Sequence, residues 1–125
     1  MKIIHIENYN QFLNFFNNNT IDYIIINISA SWCKPCNEIK EELNEFIDNL
    51  IIENTIFLKI DYDLLEEEQD FYKYLQPNKI PYFYIFKDKS IQNHFQTSNM
   101  EIIKKNITTE IIDNNNNNFD LSNDF

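Results

Sequence analysis

No glycine occurs anywhere in this chain of 125 residues. Any backbone position with a positive φ must therefore carry a Cβ, and Asn and Asp tolerate that region best. Asn18-Asn19, Asn54 and Asp88 stand where turns are wanted. The same absence removes classes of function. A phosphate-cradling loop or a dinucleotide fingerprint needs glycines where the backbone approaches the phosphates. Neither can be built here.

Arginine is missing too. The ten basic residues are all lysines and face twenty acids, a formal charge of −10. A surface that repels phosphate this strongly suits neither nucleic acid nor an anionic membrane, so the expected partners are proteins. The longest apolar runs, such as Ile24-Ile25-Ile26 and Tyr82-Phe83-Tyr84-Ile85-Phe86, fall far short of a membrane span. The start, Met1-Lys2-Ile3-Ile4-His5-Ile6-Glu7, reaches an acid too soon for a secretory leader. A cytosolic protein is the default. Two cysteines in a small cytosolic domain argue for redox chemistry or metal binding rather than a disulfide scaffold.

Apolar residues alternate between two periods. Lys2 to Ile6 reads as a short strand, and Asn8 can cap a helix whose apolar face is Phe12, Leu13, Phe15 and Phe16. Tyr23 to Ile28 predicts a strand buried on both faces. Lys34 to Leu50 predicts a helix, Thr55 to Ile60 a second buried strand, and Glu66 to Leu75 a helix with Glu66, Glu67 and Glu68 at its positive end. Tyr82 to Phe86 and Ile91 to Phe95 flank Lys87-Asp88-Lys89-Ser90 as a hairpin, and Met100 to Ile112 supplies a last amphipathic helix. The order β-α-β-α-β-α-β-β-α implies an α/β fold, a mixed central sheet with helices on both faces. One domain over residues 1–112 is expected. The asparagine tract Asn114 to Asn118 and its surroundings, residues 113–125, read as a disordered tail. Twenty-one asparagines and twenty-two isoleucines read as coding bias rather than function.

The informative segment is Ser31-Trp32-Cys33-Lys34-Pro35-Cys36, where a buried strand hands over to a long helix. Two intervening residues put the sulfurs one helical turn apart, close enough for a reversible disulfide. Cys33 at the helix start faces unpaired backbone N–H groups and the positive end of the macrodipole. Both favour the thiolate, as does neighbouring Lys34, and Pro35 suits the first turn. The exposed sulfur of Cys33 is expected to attack, and Cys36, one turn deeper, to resolve the mixed disulfide. A zinc site would need two more ligands. His5 and His94 lie on the first and last strands without ligand spacing, so no metal is expected and neither histidine is given a role.

Trp32-Cys33-Lys34-Pro35-Cys36 closely resembles the W-C-x-P-C signature of the thioredoxin family, and its strand-to-helix setting is that family's. Ile28-Ser29-Ala30-Ser31-Trp32-Cys33 and Phe57-Leu58-Lys59-Ile60-Asp61-Tyr62-Asp63 are similar to further stretches, so the resemblance runs from about Ile3 to Ile112. Lys79-Ile80-Pro81-Tyr82 matches the family's cis-proline loop. The resemblance implies a thioredoxin-like fold, a cis Ile80–Pro81 bond, and a substrate chain paired with the backbone of Ile80 beside Trp32 and the cysteines.

The resemblance also marks departures. The buried acid that relays the second cysteine's proton falls at Asn27, which cannot titrate. Lys59 matches that acid's lysine neighbour and is expected to reach water. Tyr82 follows the proline where threonine is common and is expected to add bulk to the docking surface. Family glycines are replaced at Lys79, Lys89 and around Thr97-Ser98. What the resemblance implies for activity is a cytosolic, monomeric thiol-disulfide oxidoreductase that reduces protein disulfides. Its redox centre is the Cys33–Cys36 pair without further cofactor, and a separate thioredoxin reductase or equivalent donor supplies electrons. An oxidase or isomerase, and a non-catalytic adaptor on the same fold, are the rival readings.

Overall fold

The computed structural model describes residues 1–113. Within them, five strands form one sheet: β1 (Ile3–His5), β2 (Tyr23–Ser29), β3 (Thr55–Asp61), β4 (Tyr82–Lys87) and β5 (Ser90–Gln96). Their spatial order is β1-β3-β2-β4-β5. β3 lies parallel to both β1 and β2, and β4 runs antiparallel to both β2 and β5. Four α-helices accompany them in the described residues: α1 (Tyr9–Phe16), α2 (Lys34–Asn49), α3 (Tyr62–Glu67) and α4 (Met100–Ile107). The expected element order is the observed one. No helix among the described residues is long and apolar enough to cross a membrane.

The pleat explains why β2 is apolar along nearly its whole length. Ile24, Ile26 and Ile28 point to one face, where they meet Phe12 and Phe16 of α1 and Leu65 of α3. Tyr23 and Ile25 point to the other, against Ile39, Leu43 and Ile47 of α2 and Ile103 and Ile107 of α4. A central strand covered on both sides must be apolar on both. Asn8 caps α1 as expected, its Oδ1 accepting the Gln11 N–H at 2.8 Å.

The helix expected over Glu66 to Leu75 is divided. Asp61 caps α3 early, its Oδ1 accepting the Asp63 N–H at 2.8 Å, and the helix ends at Glu67. A 3₁₀ segment, Gln69–Lys73, follows. Glu66 and Glu67 therefore close a helix instead of opening one. The break lets Phe71 drop into the core, its ring 5.1 Å from that of Tyr9 and 5.4 Å from that of Phe12. The last helix also changes form: α4 passes into a π-helical turn at Thr108–Asp113, with Ile111 still buried. The expected tail lies outside the described residues except for Asp113.

Positive φ falls at Asn54 (55°), Asp88 (49°) and Lys89 (66°). Asp88 and Lys89 are the two-residue loop of the β4–β5 hairpin, closed by the pair Lys87 and Ser90, and such loops twist correctly only with both residues at positive φ. Asn18-Asn19 works otherwise. The Asn18 Oδ1 accepts the Thr20 N–H at 2.9 Å and its hydroxyl at 2.7 Å, a side-chain turn that needs no positive φ.

Candidate active site

At the end of β2 the chain leaves the sheet through Ala30 to Trp32 and enters α2. The Cys33 N–H donates to the Ala30 carbonyl at 3.2 Å, and Asn37 Nδ2 donates back to the Ser31 carbonyl at 2.9 Å, so the bend is tied from both sides. Cys33 is the N-cap of α2 and Pro35 lies in its first turn. Cys33 and Cys36 are joined as a disulfide with Cα atoms 5.3 Å apart, within the usual span. The Cys36 N–H points at the Cys33 sulfur, 3.3 Å away. That N–H is one of the orphan donors of the helix start, and it is placed to donate to the Cys33 sulfur on reduction as well.

The expectation that Cys33 is the exposed sulfur is corrected. Cys33 is 5% exposed and Cys36 6%, so burial does not separate them. Their neighbours do. The Cys33 Sγ lies 3.9 Å from the Ile80 carbonyl oxygen, whereas Cys36 borders a cavity behind the helix start.

The Ile80–Pro81 peptide bond is cis, and it turns the Ile80 carbonyl toward the cysteines. Trp32, Cys33, Lys34, Pro35, Tyr62, Asn78, Lys79 and Ile80 together line an open groove of about 430 Å³. Trp32 is 62% exposed but held in place. Its indole Nε1 donates to both Asp63 carboxylate oxygens at 3.2 Å, and its ring meets Tyr62 edge-on at 6.1 Å. Tyr62 and Asp63 were not picked out as site residues by the sequence. The available signal was their place in Asp61-Tyr62-Asp63, directly after a buried strand.

Tyr82 does not add to this groove. Strand alternation places its ring beside Tyr84, centroids 4.9 Å apart, and its hydroxyl meets His94 Nδ1 at 2.7 Å. It lines a different cavity with Lys73, Tyr74 and His94. His94, given no role, is therefore the partner that holds Tyr82 over the sheet. Tyr84 is buried among these rings, and that burial raises its hydroxyl pKa well above the ordinary value.

Asn27 is 1% exposed, and its Nδ2 donates to the Tyr82 carbonyl at 3.3 Å. The residue at the relay position thus fastens β2 to the strand that follows Pro81. Lys59, its register partner on β3, lines a cavity of about 230 Å³ that also borders Cys36, Lys40, Asp61 and His5. Burial, then the charge of Lys40, lowers the Lys59 pKa. Among the described residues no group of His, Cys, Asp and Glu could hold a metal.

A family model described as Thioredoxin matches residues 2–109. The thioredoxin of the catfish Ictalurus punctatus is 26% identical over 105 residues, 84% of this chain and 95% of that protein. Mouse thioredoxin is 28% identical over 85 residues, 68% of this chain and 76% of its own. The crystal structure of Schistosoma mansoni thioredoxin superposes with a TM-score of 0.74 at 22% identity, covering 88% of this chain and 96% of that one. That of the Malassezia sympodialis thioredoxin gives 0.71 at 20% identity, over 87% and 93%. The fold is thioredoxin-like.

Proposed function

The chain belongs to the thioredoxin family and its cysteine pair makes it a thiol-disulfide oxidoreductase, and we propose that it works as a reductase of protein disulfides. The observation that carries the direction of attack is the placement of Cys33 at the helix start, beside the Ile80 carbonyl and the open groove. In the reduced protein the Cys33 thiolate attacks one sulfur of a substrate disulfide. The other substrate sulfur leaves as a thiolate and takes a proton from water. Cys36 then loses its proton and attacks the Cys33 sulfur. The second substrate thiol is released, and the oxidised pair described above remains. An extended substrate chain lies along Ile80 and against Trp32, with Pro35 keeping the first turn of α2 open to it.

Two electrons must then return from outside. The chain lacks the glycines of a dinucleotide site, so a separate thioredoxin reductase or an equivalent dithiol donor supplies them, and the pair itself is the only redox centre invoked. A monomer working in the cytosol fits this role. The proton of Cys36 has no titrating acceptor at Asn27, so it leaves through the cavity shared with Lys59, and resolution is slow.

The test is dithiothreitol-driven reduction of a model protein disulfide by the wild type, Cys33→Ser and Asn27→Asp. The expected result is an active wild type, an inactive Cys33→Ser and a several-fold faster Asn27→Asp. Undiminished activity of Cys33→Ser overturns the assignment. An inactive wild type that Asn27→Asp does not rescue moves the oxidant or adaptor role to the front.

A further inference from the structure

The groove beside the disulfide has a charge of its own, opposite in sign to that of the molecule. The chain carries −10 overall, yet the ionisable groups lining the groove, the cysteines and Tyr62 aside, are two lysines. Lys34 stands on the wall formed by the start of α2, and Lys79 on the facing wall, just before Ile80. Neither Glu38 nor Asp63 lines the groove. Glu38 holds Lys34 only loosely, Nζ to Oε1 at 3.9 Å with both side chains exposed. Asp63 is bound to the Trp32 indole through both oxygens.

We infer that this groove selects disulfides flanked by acidic residues, with Lys34 and Lys79 as the specificity-determining contacts from its two walls. This rests on the reductase reading above and names its substrate class. A protein chain lying along Ile80 brings the residues on either side of its cysteine past the two walls, one lysine at each. A carboxylate there meets an ammonium group at short range. A lysine there meets a like charge, and like-charge contacts are how interfaces reject wrong partners. The rest of the surface pushes the other way, since a net negative protein repels an acidic substrate at long range. Which effect wins depends on distance. At about 0.1 M ionic strength the screening length is about 10 Å, so charges across the molecule are damped while contacts inside the groove persist.

The test uses the pre-reduced full chain and three disulfide peptides that differ only in the residues flanking the cysteine: Glu, Gln or Lys. Single-turnover rates are divided by the rate of each peptide with dithiothreitol, which removes intrinsic differences in disulfide reactivity. Exposed ion pairs are individually weak, on the order of threefold each. The expected preference for the Glu peptide over the Gln peptide is therefore about threefold per lysine and about tenfold for both, with the Lys peptide slowest. It shrinks toward one at 1 M salt. In the double variant Lys34→Glu, Lys79→Glu the order reverses. Comparing peptides within one variant cancels any general change that Lys34→Glu makes in Cys33 reactivity. Equal corrected rates for the three peptides, or a preference unchanged in the double variant, overturn the charge selection alone. Failure to react with any of them overturns the reductase reading itself.

Discussion

At the scale of single residues, Asn27 carries the most information. The family resemblance aligns it with a position that often carries a titrating acid, and it is legible there because its offset from Cys33 is local. Its bond to the Tyr82 carbonyl is not legible, because the two residues are 55 positions apart and meet only once β2 and β4 pair. The geometry gives Asn27→Asp a structural cost alongside its kinetic benefit. An aspartate cannot donate to that carbonyl, and it buries an ionisable group. The variant should lose about 1–3 kcal/mol of stability, with the loss greatest where the carboxylate is ionised. Urea unfolding at pH 5 and pH 8 measures this; equal midpoints for variant and wild type at both would contradict it. Tyr82 shows the same limit of local reading. Its position after Pro81 suggested the docking surface, but the pleat and His94 turn the side chain to another face.

At the scale of elements, buried strands and capped helices were legible because each carries its period and its cap within a few residues. Asn8 caps its helix as expected, and the structure adds Cys33 and Asn99 as the caps of α2 and α4. The division between α3 and the 3₁₀ segment was not, because it depends on Phe71 packing against α1. The hairpin was expected with Asp88 at the strained position, and the structure adds Lys89 beside it. A lysine in the left-handed region costs roughly 1–2 kcal/mol relative to its preferred conformations. Lys89→Gly should therefore raise stability by about 1 kcal/mol, less the entropy a glycine adds to the unfolded chain. A denaturant midpoint that falls would show that the Lys89 side chain stabilises the hairpin by more than the backbone strain costs.

At the scale of the whole molecule, pH acts on stability through two opposed effects. Raising pH adds negative charge to a chain already at −10, which weakens the compact state. Lys59 works in the opposite sense. Its folded pKa lies below its ordinary value of 10.5, through burial first and Lys40 second. The folded state therefore sheds that proton before the unfolded state does. The penalty for holding the charge is full at neutral pH, fades as pH rises through the folded value, and is gone above 10.5. Lys59→Met should accordingly raise the urea midpoint at pH 7 and raise it less at pH 10. A gain that does not shrink with pH would assign the effect to packing alone.

The two edges of the sheet govern how readily this chain pairs with another. Ile24-Ile25-Ile26 and Tyr82-Phe83-Tyr84-Ile85-Phe86 are short, uncharged, β-prone runs of the kind that stack into fibrils. Both sit in inner strands, each paired on both sides. The outermost strands are poor templates for another chain: β1 has three residues, and β5 is interrupted by a bulge, its register shifting between the pairs Ile85–Asn93 and Phe86–Ile91. Shielding of these runs belongs to the fold and not to the composition, so any event that opens the β2–β4 pairing exposes both at once.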